Sequence, residues 1–271
     1  MWITQLKGKK IRNSVLLLTG VYMVIGAALF VFQERLLFLP TVLEDNYQYE
    51  FQVPFEELNF YPETGVQLNA VLFKATDPKG IIFYSHGNAG DLSRWGDIAS
   101  RFVAYNYDVL VWDYRSYGKS RGPLSEEVFY RDAQYVFDQV TSSYNPGSIV
   151  LYGRSLGTAM TSYLASKNEV GQAILETPFY SITDVAKRRF PIFPVKRLIK
   201  YKFPNHAFIP HIDVPISIVH GTEDTVVPYD SAQKLMELKN PHLSFTSIEG
   251  GDHNNLAEFK AFNELIDQLL Q

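Results

Sequence analysis

Apolar residues follow two different patterns along this chain. Near the start they form one block, residues 14–32, with no charged side chain. As a helix that block would be roughly 28 Å long, close to the ~30 Å hydrocarbon core of a bilayer. A core helix of that length would keep a polar face, and this run has almost none. A cleaved secretory leader has a shorter apolar region followed by a small-x-small site, whereas Gly26-Ala27-Ala28 lies inside the run. The block reads as an uncleaved transmembrane anchor. Directly after it, Leu36-Leu37-Phe38-Leu39 is too short to cross a bilayer and stops at Pro40. That stretch suits either the lipid interface or a tether packed on the domain that follows.

From residue 55 the pattern changes to short apolar runs alternating with helical periodicities. Residues 55–60 and 66–73 alternate as two strands about the turn Pro62-Glu63-Thr64-Gly65. Further strands are expected at 80–85, 109–112, 149–152, 173–175, 215–219 and 245–248. Helices are expected at 92–105, 125–144, after Ser155, at about 231–238, and from the 250–255 segment to Gln271. Ser125 should cap its helix, with Glu126 and Glu127 in the first turn where the dipole favours acids. Alternation of this kind implies an α/β domain with a mostly parallel, twisted sheet and helices on both faces. The chain thus divides into a basic segment (1–13), an anchor (14–32), a juxtamembrane linker (33–54) and a domain (55–271).

Charge adds an orientation. The formal net charge is −4, yet Lys7, Lys9, Lys10 and Arg12 precede the anchor and only Arg35 follows closely. The positive-inside rule keeps such an N-terminus cytoplasmic and sends the domain to the extracytoplasmic side as a single-pass protein. Seven more bases lie between Lys187 and Lys202 without an acid, so the rest of the chain is strongly acidic. Nucleic acid, whose binding depends on neutralised phosphates, is set aside as a partner. There is no cysteine, which excludes disulfides, thiolate zinc sites and a cysteine nucleophile.

The candidate chemistry centres on Ser148-Ile149-Val150-Leu151-Tyr152-Gly153-Arg154-Ser155-Leu156-Gly157. An apolar strand runs into Gly-x-Ser-x-Gly and then a small-residue helix. A serine on that sharp turn is pushed out above the sheet, and Gly153 and Gly157 remove side chains where strand and helix pass closest. A serine hydroxyl needs a base, and the base needs a carboxylate to fix its tautomer. Polar residues at later strand ends supply both, in the order Ser155, Asp224, His253. Asp230, Asp252 and Glu223 are rival acids. Asp230 is expected to cap a helix, and Asp252 adjoins the histidine in sequence, which points the two side chains apart. The oxyanion donors are the backbone N–H groups of Leu156 and, in the loop His86-Gly87-Asn88-Ala89-Gly90, of Asn88. That loop lacks the lysine of a Walker cradle and the dinucleotide glycine spacing, and no two histidines have ligand spacing. No cofactor and no metal are expected.

Together these features resemble the α/β-hydrolase superfamily over residues 55–271, and within it the membrane-anchored ABHD or BEM type of serine hydrolase. The resemblance rests on the anchor, Leu36-Leu37-Phe38-Leu39-Pro40, His86-Gly87-Asn88-Ala89-Gly90 and Gly153-Arg154-Ser155-Leu156-Gly157. His220-Gly221-Thr222-Glu223-Asp224 and Gly251-Asp252-His253-Asn254 complete it. It implies an α/β-hydrolase fold and an acyl ester or thioester substrate, since such enzymes include monoacylglycerol lipases, lysophospholipases and depalmitoylases. One departure is Ser116, where the family's Asp-x-Arg-Gly-x-Gly-x-Ser segment usually has glycine; Arg115 and Ser116 are read as scaffold.

Residues 177–213 are too long for a simple connection and carry Pro178, Pro191, Pro194, Pro204 and Pro210 among many aromatics. A small helical cap insertion is expected. Its aromatics either face an acyl group or pack the cap onto the domain. Its bases either form a solvated face or meet anionic headgroups. The expected function is a membrane-anchored serine esterase or lipase, a lipid or small-molecule acyl ester being its partner. The alternatives are a serine peptidase or acyl-protein thioesterase on the same triad, and a non-catalytic binding protein on a hydrolase scaffold.

Overall fold

The computed structural model describes residues 2–271, with side chains from residue 8 onward; the side chain of Lys7, one of the expected N-terminal bases, lies outside the described residues. Helix α1 (Trp2–Val31) is followed by α2 (Gln33–Leu37) and β1 (Phe55–Phe60), β2 (Leu68–Phe73) and β3 (Ile81–Ser85). Then come α3 (Leu92–Ser100), β4 (Asp108–Trp112), α4 (Glu126–Thr141), β5 (Ile149–Arg154), α5 (Gly157–Ala165) and β6 (Gln172–Glu176). The insertion holds α6 (Ile182–Arg189), α7 (Val195–Leu198) and α8 (Asn205–Phe208); β7 (Ile216–Gly221), α9 (Tyr229–Met236), β8 (Leu243–Ile248) and α10 (Lys260–Leu270) close the chain.

One eight-stranded sheet runs β1-β2-β4-β3-β5-β6-β7-β8. Only β1–β2 and β2–β4 pair antiparallel; the remaining neighbours are parallel. The central strands are apolar throughout because both faces are covered, and their alternation assigns neighbours to opposite cores. Phe83 and Leu151 pack with Phe129, Phe137 and Met160 of α4 and α5. Tyr84 and Tyr152 pack with Trp95 of α3 and Phe262 and Ile266 of α10. Ser125 caps α4 as expected, its side chain accepting from the Val128 N–H.

Some boundaries differ from the expectations. The helix expected over 92–105 is α3 plus a 3₁₀ turn, Arg101–Tyr105, ended by Asn106 in the left-handed region. The last helix does not open at 250–255 but at Lys260, behind a 3₁₀ turn, Leu256–Glu258. The cap helices are only four to eight residues long, because proline can neither donate nor follow a helical residue comfortably.

Within α1 one stretch, Gly8–Val31, is long and apolar enough to cross a membrane, with mean hydropathy 2.3. Its apolar side chains are mostly uncovered, Leu17 and Leu18 being 68% exposed, so it is not a helix of the domain core. It ends at Val31 because Phe32 leaves helical geometry (φ −98°, ψ 12°). The cap aromatics divide between two jobs. Phe179, Tyr201 and Phe203 are buried in the domain core, where Phe38 of the linker packs edge-on against Tyr201 and Phe203. Phe193 instead stacks on Tyr22 of α1, centroids 4.8 Å apart. Phe38 is thus a tether residue, while Leu36 and Leu39 stay exposed.

Candidate active site

Strand β5 enters a turn in which Ser155 has φ 50°, a left-handed geometry that costs a residue with a Cβ about 1–3 kcal/mol. Local packing imposes it. A Cβ on Gly157 would overlap the Ser85 carbonyl, and one on Gly153 would meet Thr161 Oγ1 at 2.5 Å. The two glycines therefore let β5, β3 and α5 touch as the sequence suggested. Two bonds pin the turn: Ser155 N–H donates to the Glu176 carbonyl (2.9 Å) and Thr158 Oγ1 to the Ser155 carbonyl (2.6 Å).

At the tip the three expected side chains meet. His253 Nε2 lies 3.0 Å from Ser155 Oγ, and His253 Nδ1 lies 2.7 Å from Asp224 Oδ2. The carboxylate requires the proton on Nδ1, which leaves the Nε2 lone pair facing the hydroxyl. Asp224 follows β7, and its other oxygen accepts from the N–H groups of Val226 (2.9 Å) and Val227 (2.7 Å). Burial alone would raise its pKa, but bonds from His220 and His253, with the Val227 amide, hold it well below the usual carboxylate range. Asp224 is therefore ionised wherever a neutral imidazole can act as base. A lowered folded-state pKa also means that Asp224 stabilises the fold above the ordinary carboxylate range, and that this contribution is lost only as pH falls through the lowered value.

None of the rival acids bonds to the His253 imidazole. Asp252 Oδ1 accepts from the Thr225 N–H (2.9 Å) and hydroxyl (3.1 Å), bracing the acid loop. Glu223 is exposed. Asp230 is not a helix cap: Pro228 holds the cap position of α9 without a side-chain bond, and Asp230, one residue into the helix, pairs with Arg188. Proline fixes the extended entry there, so no side-chain acceptor is needed to start the helix.

The loop after β3 is organised from an unexpected direction. Asn88 Oδ1 accepts from the Leu39 N–H (3.1 Å) and Tyr117 hydroxyl (2.7 Å), while its Nδ2 donates to the Leu37 carbonyl (2.5 Å). Gly90, with φ 94°, exchanges backbone bonds with Leu39 (3.0 Å) and Thr41 (2.9 Å). The linker is thereby bonded to the loop that carries the expected oxyanion donor. The amide hydrogens of Asn88 and Leu156 have no acceptor among the described residues, leaving both free for a ligand.

Further groups were not singled out as site residues from sequence. His220 is fully buried, with Nε2 3.2 Å from Asp224 Oδ2 and 3.0 Å from the Val227 carbonyl. Both neighbours are acceptors, so Nε2 carries a proton and supports the same carboxylate. Arg154 ion-pairs with Glu176 (3.2 Å) and donates to the His253 carbonyl (3.2 Å), tying the elbow to the histidine loop. A charged residue inside an otherwise apolar strand end was the available signal. Beneath the loop, His86 Nε2 lies 3.2 Å from Asp113 Oδ1; burial raises the Asp113 pKa despite that neighbour.

A family model described as serine aminopeptidase, S33, matches residues 76–208. Alpha/beta hydrolase domain-containing protein 17C of Xenopus tropicalis is 31% identical over 197 residues, a match covering 70% of this chain and 61% of the frog protein. The matches to the curated relatives span 60% to 63% of those proteins' length. Among solved structures, the Pyrococcus furiosus esterase Pf2001 has a TM-score of 0.65 at 16% identity, covering 86% of this chain and 96% of the esterase. The Paleococcus ferrophilus monoacylglycerol lipase has a TM-score of 0.56 at 17% identity, covering 75% of this chain and 98% of the lipase. These two share the fold. Its sheet order, its strained serine elbow and these matches give the chain the fold of the α/β-hydrolase superfamily.

Proposed function

We propose that this chain is a membrane-anchored serine hydrolase that cleaves acyl esters through an acyl-enzyme. The observation that carries the reading is the continuous relay Asp224–His253–Ser155, with contacts of 2.7 and 3.0 Å around a serine held at φ 50°. Ser155 Oγ attacks the ester carbonyl while His253 Nε2 takes its proton. Asp224 stabilises the imidazolium, and the Asn88 and Leu156 N–H groups receive the oxyanion. Collapse expels the alcohol with the proton from His253, and water repeats the sequence to release the acid. Gly8–Val31 holds the enzyme in the membrane, with the N-terminus cytoplasmic and the catalytic domain outside. A C-terminal reporter active only outside the cytoplasm should then give signal, and one active only inside should not.

The name of the matching family model favours a second reading, cleavage of an aminoacyl amide on the same triad. Thioester cleavage needs no further group. A panel of p-nitrophenyl esters of graded length, a lysophospholipid and an aminoacyl amide separates these. Turnover of the esters that is lost in Ser155→Ala is expected. Turnover of the amide alone would overturn the ester reading, and no turnover at all would favour a binding role.

A further inference from the structure

We propose that the cleft between α1–α2 and the cap is an acyl-chain site that opens directly onto the bilayer. Its walls are Leu29, Leu36 and Leu37 on one side and Phe190, Phe193 and Leu198 on the other. The one polar side chain among its lining residues, Gln33, is already used. Its Nε2 donates to the carbonyls of Phe30 (3.0 Å) and Leu198 (3.1 Å), and its Oε1 accepts from the Lys200 N–H (2.7 Å). A ligand lying there meets methyl groups and rings, which suits a hydrocarbon chain and penalises a polar one.

The position of the cleft identifies the source of that chain. The Tyr22 hydroxyl donates to the Ile192 carbonyl (2.9 Å), and Phe193 stacks on the Tyr22 ring. Tyr22 stands nine residues before the end of α1, which is about 14 Å along the helix. If α1 spans a membrane, the cap tip is immersed beside it, and Ile192, 73% exposed with no protein cover, faces lipid. Three of the cap's bases, Lys187, Lys196 and Arg197, share a surface cleft with Pro191 and Phe193 beside this apolar tip, and among the described residues only Arg188 of the seven cap bases pairs with a carboxylate. Long basic side chains around an immersed tip extend toward anionic headgroups. Leu37, one of the residues lining the cleft, connects it to the catalytic loop, since its carbonyl accepts from Asn88 Nδ2.

This inference rests on the proposed serine hydrolase and on α1 as a membrane span, so its test separates the three. Full-length protein is placed in phosphatidylcholine vesicles, with or without phosphatidylglycerol, carrying a trace of lysophospholipid with a diazirine near the end of its acyl chain. Photoadducts are expected on Leu29, Phe190 or Phe193, more strongly with phosphatidylglycerol. Leu198→Trp should remove most adducts and lower the ratio of palmitoyl to acetyl ester turnover about tenfold, the effect of excluding roughly two methylenes. Ala186→Leu, on the cap wall, should shift the ratio the same way, and Ser155 labelling by a small fluorophosphonate reports that each variant is folded. Release of the protein by carbonate would refute the span, and loss of wild-type Ser155 labelling would refute the nucleophile. With both intact, adducts confined to residues 15–24, or an unchanged turnover ratio in both variants, would overturn the cleft.

Discussion

Asp224→Asn should lower ester turnover by about 10⁴-fold and also lower stability at neutral pH, because the carboxylate held at a lowered pKa is itself a stabilising group. The amide keeps an oxygen for the Val226 and Val227 N–H groups, which hold the wild-type Oδ1 at 2.9 and 2.7 Å. Its NH₂ group then faces His253 Nδ1, where the carboxylate oxygen sits at 2.7 Å in the wild type. A donor facing Nδ1 favours the tautomer with its proton on Nε2, against the Ser155 hydroxyl, and the base is lost. His220 cannot compensate, because its Nε2 contacts Asp224 and the Val227 carbonyl rather than Ser155. Steady-state kinetics on a p-nitrophenyl ester, with thermal unfolding as control, makes the comparison. Turnover within tenfold of wild type would remove Asp224 from the relay.

The second large effect concerns stability. Arg115 is 1% exposed and holds Asp132 of α4 through two bonds (2.6 and 2.8 Å). An ion-pair contact of 2.7 Å also links it to Glu63 in the turn between β1 and β2. Arg115→Leu should cost about 3–5 kcal/mol, because it leaves the Asp132 carboxylate buried and unpaired. Burial already raises the Asp132 pKa, with Arg115 opposing it. Without the arginine the carboxyl takes up a proton at higher pH, so the loss should be largest well above the ordinary carboxylate range and shrink in acid. Thermal unfolding in detergent micelles measures it, and the double variant Arg115→Leu/Asp132→Leu should recover most of the difference. Equal midpoints for wild type and Arg115→Leu would show that the pair does not hold the fold.

This ion pair agrees with reading Arg115 as scaffold, and Ser116 beside it has φ 71° where glycine would relax the turn. Legibility elsewhere followed the range of the interaction. Strands β3 to β7 were visible because burial on both faces turns a strand into an uninterrupted apolar run. The serine elbow was visible because strand, glycines and helix constrain one another within ten residues.

The tether was not. Asn88 meets Leu37, Leu39 and Tyr117 across gaps of 29 to 51 residues, and no periodicity encodes such a contact. The cap was legible only as an insertion, since its proline-broken helices are too short to show a face. Its contact with α1 was hidden for the opposite reason: a helix apolar all round does not announce which side is covered. The role expected of Asp230 failed because Pro228 supplies the helix entry through its backbone alone.

The catalytic claim is tested most directly by locating a fluorophosphonate adduct on the full-length protein by peptide mass spectrometry. The expected result is one adduct, on Ser155, absent from Ser155→Ala and strongly reduced in His253→Ala. An adduct on another residue, or undiminished labelling of Ser155→Ala, would contradict it.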